Sequence, residues 1–381
     1  MLLDSFTLTN FLSFKTAELH LGQLTALVGP NASGKSNAVA AIRLLTELPL
    51  HGLPTAISRR GGFDQLRHRS KGRPFDPSLR LSWREDEQSP QSSYELKLGS
   101  IKGKRFRVKN ENWTIRDEAG EAIALTNKEG TLSAWQITEN GRRTPVDNHL
   151  PVVPEDQSAI TAAFSYGGIA VWQTLMSLQT IDINPAAVGA LQDPVAGTSF
   201  EADGSNIASV FESLSTERRR EVTDLLASIV PGIVRVEPRH VADKVTLTFV
   251  QQVEGQAREF SAKQMSDGTL RAFGILLSLI QPRQPDLVVI EEPETAIHLG
   301  ALRTLVGILS DFSTDLQIVI TTHSAEMIDE LAIDDLRLVW QDQHGESRIA
   351  PVAEHTRDTI REGLITPGEL LKSDALDPQR T

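Results

Sequence analysis

Apolar positions at the start of the chain fall into short runs. Leu3, Phe6 and Leu8, then Phe11 and Phe14, are spaced among polar residues, and residues 18–21 lead into a turn at Gly22. This predicts two strands. A third run, Leu24, Ala26, Leu27 and Val28, stops abruptly at Gly29, and residues 38–48 are apolar at helical spacing. The order is strand, tight loop, helix, with the helix over about 33–48 and a break at 51–54. From 79 to about 144 the period changes to two. Residues 79–83, 94–98, 106–108, 113–115, 122–125 and 135–137 read as half-buried strands separated by polar turns, an antiparallel meander. Pro151 and Pro154 interrupt the pattern. Residues 159–178 are helical in character and 181–194 are looser. Ile207, Val210, Phe211 and Leu214 follow Asp203-Gly204-Ser205-Asn206 at helical spacing, a helix start capped by Ser205 or Asn206. Residues 215–229 form another helix, entered through Ser215 and stopped at Pro231-Gly232. Strands return over 234–253. Met265-Ser266-Asp267-Gly268-Thr269 then opens a strongly apolar helix to about Ile280, and two buried-type strands follow, Leu287-Val288-Val289-Ile290 and Ile318-Val319-Ile320.

This order divides the chain into residues 1–150, 151–232 (a short helical insert) and 233–381. No heptad repeat is sustained, so no long coiled coil is expected.

Composition narrows the classes. At 381 residues the chain is long enough for a sizeable core, and without cysteine it has no disulfide, thiolate metal site or cysteine nucleophile. That fits a reducing, cytoplasmic setting. The first five residues lack a signal peptide's basic region and apolar run, and no apolar run approaches a membrane span, so no membrane partner is expected. A net charge of -12 argues against a chain that coats nucleic acid overall and leaves room for a local basic groove.

The chemistry begins at the strand–loop–helix junction, which reads Gly29-Pro30-Asn31-Ala32-Ser33-Gly34-Lys35-Ser36-Asn37. Glycines at this spacing let backbone N–H groups curl around a phosphate, and the helix points its positive end at it. Lys35 supplies a mobile charge for the outer phosphates, and the Ser36 hydroxyl can ligate magnesium. Ser266 and Gly268 at a helix start make a second anion site. The strand ending at Ile290 runs into Glu291, Glu292, Pro293 and Glu294. Paired carboxylates there can hold magnesium through water and deprotonate an attacking water. His323 follows the next strand, where it would sit near a γ-phosphate. Residues 57–75 carry Arg59, Arg60, Arg67, His68, Arg69, Lys71 and Arg73 against one acid, Asp64. Two readings stay open for this loop-like stretch: a solvated surface, or a phosphate-contacting loop for nucleic acid (DNA or RNA) or nucleotide.

Phosphate loop, Ser-x-Gly helix, Glu-Glu-Pro strand and Thr-His-Ser strand end, in that order, resemble the ABC-type ATPases. More closely they resemble the AAA_21 group allied to RecF, SMC and OLD-nuclease heads. Asn10-Phe11-Leu12-Ser13-Phe14, Phe200-Glu201-Ala202-Asp203-Gly204-Ser205-Asn206 and Gly368-Glu369-Leu370-Leu371 extend the resemblance over nearly the whole chain. It implies an α/β P-loop NTPase of ABC type, with a mixed core sheet, an antiparallel β lobe and a helical insert. It implies ATP and Mg2+ as cofactors, and a head that closes around ATP as a homodimer or higher oligomer. Residues 29–36 would be the Walker A loop. Ser266, Asp267 and Gly268 would be the signature that reaches ATP on the opposite subunit. Glu291 and Glu292 would be Walker B, with Glu292 the catalytic base, and His323 the switch histidine. Ile297-His298-Leu299 lies where the D-loop would cross a dimer interface. The signature reads Ser-Asp-Gly-Thr rather than Ser-Gly-Gly-Gln, and the magnesium-side acid is Glu291 rather than Asp. The implied work is that of a switch or sensor on nucleic acid or with a nuclease or other effector subunit, in DNA repair or anti-phage defence. The competing readings are a regulatory ATP-binding scaffold with little turnover, a small-molecule kinase and a membrane transporter subunit, which the basic loop and helical insert fit poorly.

Overall fold

The computed structural model describes residues 1–69, 75–102, 105–146, 150–195, 199–373 and 375–379. Two units interleave along the chain. One comprises Met1–Gly22, Gly29–Leu178 and Arg337–Ala350, the other Gln23–Val28, Gln179–Leu336 and Pro351–Thr381.

The first unit is built on an eight-stranded antiparallel sheet. Its order is Phe14–His20, Leu2–Phe11, Ser78–Arg84, Ser92–Ile101, Arg105–Arg116, Ala122–Lys128, Thr131–Ile137 and Arg143–Pro145. Strict alternation explains Ser92–Ile101, where Tyr94, Leu96 and Leu98 turn inward and Glu95 and Lys97 do not. Phe6, Leu8, Phe11, Phe14 and Leu19 are fully buried, with Phe6 opposite Leu19 and Phe11 opposite Phe14 across the strand pair. Helix Lys35–His51 buries Ala38, Val39, Ile42, Leu45 and Leu48 along one stripe and packs on Gly168–Met176. Gly52 ends it with a positive φ.

Residues 106–108 and 113–115, expected as separate strands, are one strand, Arg105–Arg116. A bulge shifts its register where Lys97 and Leu98 face Asn110 and Val108, so Val108, Glu111 and Trp113 all point inward and the period of two is lost. Polar Glu111 suggested a turn because its burial depends on distant partners. Its carboxyl accepts from Tyr94 Oη at 2.8 Å, Ser158 Oγ at 2.5 Å, the Ala159 amide at 2.7 Å and Asn127 Nδ2 at 3.2 Å. Glu111→Ala would strand these donors in the core. It should cost on the order of 3 kcal/mol, read as a lower denaturant midpoint at unchanged slope. Burial pushes the Glu111 carboxyl up. Its contribution is therefore complete below the unfolded carboxylate range and falls as pH rises through the raised folded value. The wild type should lose stability relative to Glu111→Gln over that window.

The second unit centres on parallel strands Leu24–Val28, Gln317–Thr322 and Leu287–Glu291. Their near-continuous apolar sequences are those of strands covered on both faces. Ile233–Val241, Lys244–Val253 and Gln256–Ser261 form a three-stranded antiparallel sheet. Helix Asp267–Ile280 is buried along almost its whole length, with Phe273 edge-on to Phe211 and Phe249 at centroid distances of 5.2 and 5.5 Å. Ser215 caps Thr216–Ile229 by accepting from the Arg218 amide. Asn206 precedes Ile207–Ser213 as expected, but its side chain does not cap that helix. It binds the Glu201 amide and the Ser199 carbonyl instead, closing the loop before the helix.

Candidate nucleotide-binding site

In the first unit the loop after Val28 leads into Lys35–His51, a 17-residue helix with no side-chain cap and no acid in its first turn. Its orphan N–H groups are thus left for an anion. Gly34 stands at the N-cap with φ 118, and Ala32 has φ 65. A Cβ on Gly29 would lie 2.1 Å from the Val339 carbonyl oxygen, so only glycine fits there. Lys35 is buried, and its Nζ donates to the carbonyls of Gly29 at 2.6 Å and Pro30 at 3.0 Å. Ser36, the first residue after it, is exposed. The donors suit a phosphate carrying a hard cation. In this loop they are N–H groups, one ammonium and the Ser36 hydroxyl, and no cluster of three or more metal-ligating acids or histidines exists among the described residues.

The second unit carries the acids. Val28 faces Thr322 and Glu291 faces Thr321, so the three parallel strands end level. That edge is where ligands bind in open α/β sheets. Glu292 follows with φ 44, a left-handed backbone that is costly for glutamate. Its amide is held by the Thr321 carbonyl at 3.0 Å and Thr321 Oγ1 at 3.2 Å. The Glu292 carboxylate lies 3.3 Å from His323 Nδ1. Glu294 accepts from Thr322 Oγ1 at 2.5 Å while its second oxygen is buried without a partner. Burial pushes the Glu294 carboxyl up. Ser266 caps Asp267–Ile280, accepting from the Thr269 amide at 3.2 Å. Gly268 is wedged against the turn after Glu294, where a Cβ would stand 2.0 Å from the Ala296 carbonyl. Arg271, one turn along, lines a small hollow with Glu291 and Glu292. His298 caps Leu299–Phe312 through its own ring nitrogen.

Sequence reasoning missed Arg271 and Glu294. Arg271 is a lone cation in a strongly apolar helix, and no local pattern marks it. Glu294 lay in the Glu-Glu-Pro-Glu run, but nothing local showed that its carboxyl turns back to Thr322.

Among its described residues the basic stretch holds the end of helix Leu53–Ser58 and the short helix Phe63–Leu66, with turns and irregular backbone between and after them. Arg60 makes a paired contact with Glu47 at 2.8 and 3.1 Å and also binds the Ala56 carbonyl. The Arg67 guanidinium lies 5.3 Å from the Phe63 ring centroid, and its Nε binds the Phe75 carbonyl. Both are tied into the unit. Arg59 and Arg69 are exposed, Arg69 with one contact to Gln65. Lys71 and Arg73 lie outside the described residues.

The family model of AAA_21, described as "AAA domain, putative AbiEii toxin, Type IV TA system", matches residues 24–159 and 181–329. The chain belongs to the AAA_21 family. No curated protein matches its sequence. Among solved structures this AAA_21 protein is similar to an SMC head bound to the C-winged helix domain of ScpA. The TM-score is 0.59 at 14% identity, covering 94% of this chain and 100% of that one. It is similar also to the Pyrococcus furiosus SMC head bound to the C-terminal domain of ScpA, at TM-score 0.55 and 13% identity over 95% and 99% of the two chains. The Pyrococcus yayanosii SMC head with coiled coil and joint gives 0.51 and 12% over 95% and 99%. At such identities the likeness is one of fold. This AAA_21 protein has the α/β fold of an ABC-type ATPase head, and its family is one of P-loop ATPases. Among the described residues, no helix is long and apolar enough to cross a membrane.

Proposed function

We propose that this AAA_21 protein binds ATP with Mg2+, hydrolyses it, and uses the nucleotide to control pairing of its own copies. The observation that carries the reading is the uncapped helix start at Gly34-Lys35, with left-handed turns at Ala32 and Gly34 and a buried lysine over the loop carbonyls. That is a phosphate cradle, and few other ligands would use it.

In this reading N–H groups of residues 29–37 hold the phosphates and the Lys35 ammonium meets the outer ones. Ser36 and, through water, Glu291 hold Mg2+, which would neutralise charge on the phosphates. Glu292 takes a proton from the attacking water, and ATP and water become ADP and phosphate. The strained backbone at Glu292, pinned twice by Thr321, aims its carboxylate, and His323 Nδ1 lies 3.3 Å from that carboxylate. Ser266, Asp267 and Gly268 would meet ATP on a second copy. The decisive test is ATP binding and phosphate release by the full chain with Mg2+. Absence of both would remove the reading.

Asp267 favours a second reading. An exposed carboxylate in the first turn already compensates the helix's positive end and opposes a phosphate there. This suits an ATP-binding scaffold with little turnover. ATP binding without phosphate release would select it.

Closure would act on nucleic acid or through a nuclease or other effector subunit, in DNA repair or anti-phage defence. The family's description and the ScpA-bound SMC heads of similar fold support a role with partners. Among the described cations of the basic stretch, exposed Arg59 and Arg69 offer themselves to phosphates. Replacing both by Gln should weaken DNA binding and lower the slope of log K against log salt by about 2. An unchanged slope would leave them as surface charges. Arg60→Gln, by contrast, should lower stability through lost pairing with Glu47, with little effect on the slope.

A further inference from the structure

Ser13 and Ser347 lie outside the residues that the AAA_21 model matches, yet both reach the phosphate loop. Ser347 is fully buried, with its Oγ 2.6 Å from the Ser33 carbonyl oxygen and 2.7 Å from Ser13 Oγ. Ser13 Oγ lies 2.7 Å from Asn37 Nδ2, and the Ser347 amide donates to the Ser13 carbonyl at 2.9 Å. Proton counting sets the direction. A carbonyl oxygen can only accept, and a serine hydroxyl has one proton, so Ser347 donates to Ser33. Ser13 must then donate to Ser347, and the Asn37 amide to Ser13. The chain runs one way, from Asn37 through Ser13 and Ser347 to the Ser33 carbonyl.

Its end point matters because the peptide group is planar and trans. Holding the Ser33 carbonyl on one side aims the Gly34 N–H to the opposite side. Local backbone preference does not fix that plane, since Gly34 at φ 118 has glycine's wide freedom and Ala32 at φ 65 lies in a sparsely populated region that surrounding structure must hold. The fit is close: a Cβ on Gly34 would stand 2.4 Å from Ser347 Oγ. Gln341 Nε2 holds the preceding carbonyl, Ala32, at 3.0 Å, from an exposed position.

We propose that Ser347 and Ser13 are positioning residues of the phosphate loop, which set the plane of the Ser33–Gly34 peptide and so aim its N–H at a bound nucleotide phosphate. This rests on the ATP-binding reading above. Neither serine touches the reacting atoms. They act through the loop, and segments from the two ends of the chain, outside the family's matched residues, complete it.

The test measures the ATP Kd, and KM and kcat for phosphate release, on the full-length Ser13→Ala, Ser347→Ala and double variants, with Lys35→Ala alongside. Each single change should raise Kd and KM about tenfold, with kcat within about threefold. The double variant should be no weaker than the worse single one, because both residues serve one chain of bonds. Ser13→Thr keeps the hydroxyl and should restore wild-type affinity. Should Ser347→Ala fail to fold, half-exposed Ser13 carries the test by itself. Wild-type Kd in Ser13→Ala, with Lys35→Ala inactive in binding, would overturn this proposal and leave ATP binding standing. Additive losses with no rescue by Thr would also overturn it, marking the serines as packing. Intact binding in Lys35→Ala would instead overturn the ATP reading itself.

Discussion

Lys35→Ala should abolish ATP binding, raising Kd by at least about a hundredfold. Lys35 is the buried cation of the loop, 5% exposed, with Nζ held by the Gly29 and Pro30 carbonyls. Facing a triphosphate, those neutral acceptors would give way to charged oxygens, and charge-assisted hydrogen bonds are roughly twice as strong as neutral ones. A factor of a hundred corresponds to about 2.7 kcal/mol, within the range for one such contact in a partly desolvated site. Alanine is the best helix former, so the first residue of Lys35–His51 should keep its conformation and the circular dichroism spectrum should not change. Calorimetric titration with ATP and Mg2+ reads the result. Binding at wild-type affinity would remove residues 29–37 from the phosphate-site assignment.

Glu292→Gln should leave ATP affinity within about threefold and lower kcat by about two to four orders of magnitude, the usual contribution of a positioned general base. The substitution is nearly isosteric. Both contacts from Thr321 go to the Glu292 amide rather than its side chain, so the strained turn survives. What disappears is the carboxylate that can take a proton, together with the charge facing His323 at 3.3 Å. An enzyme that binds and does not hydrolyse should accumulate in its ATP-closed form. Light scattering should then show the molar mass of Glu292→Gln doubling in Mg2+-ATP and returning to the starting value in ADP. A wild-type turnover rate would take the base role from Glu292. A mass unchanged by ATP would separate hydrolysis from pairing.

Much of the candidate site could be read directly from the chain, because its parts are local. A phosphate loop needs glycines at fixed offsets between a strand and a helix, and residues 29–36 display them in eight consecutive positions. Leu287–Glu291 and Gln317–Thr322 were legible for the same reason: strands covered on both faces have apolar sequences, and the acids and His323 stand where those sequences stop. Ser215 and Ser266 as helix caps also follow from neighbours in sequence.

Distant partners account for what was not legible. Glu111 looked like a turn residue until Tyr94, Asn127, Ser158 and Ala159 converged on it across a bulged strand. Arg60 and Arg67 read as solvated or phosphate-contacting charges until Glu47 and Phe63 accounted for them. Ser13 and Ser347 are ordinary serines 334 positions apart, joined by one hydroxyl–hydroxyl and one amide–carbonyl hydrogen bond.

The sequence by itself determined the family and the kinds of element, and it singled out residues 29–36, the strand-end acids and His323 as candidates, because periodicity and motif spacing are properties of short stretches. Only the tertiary structure decided which polar groups are buried, which cations are free to face a ligand and which remote segments brace the loop. Those are outcomes of desolvation and hydrogen-bond pairing between residues far apart in the chain, and an unpaired buried group costs too much for either partner to be judged without the other.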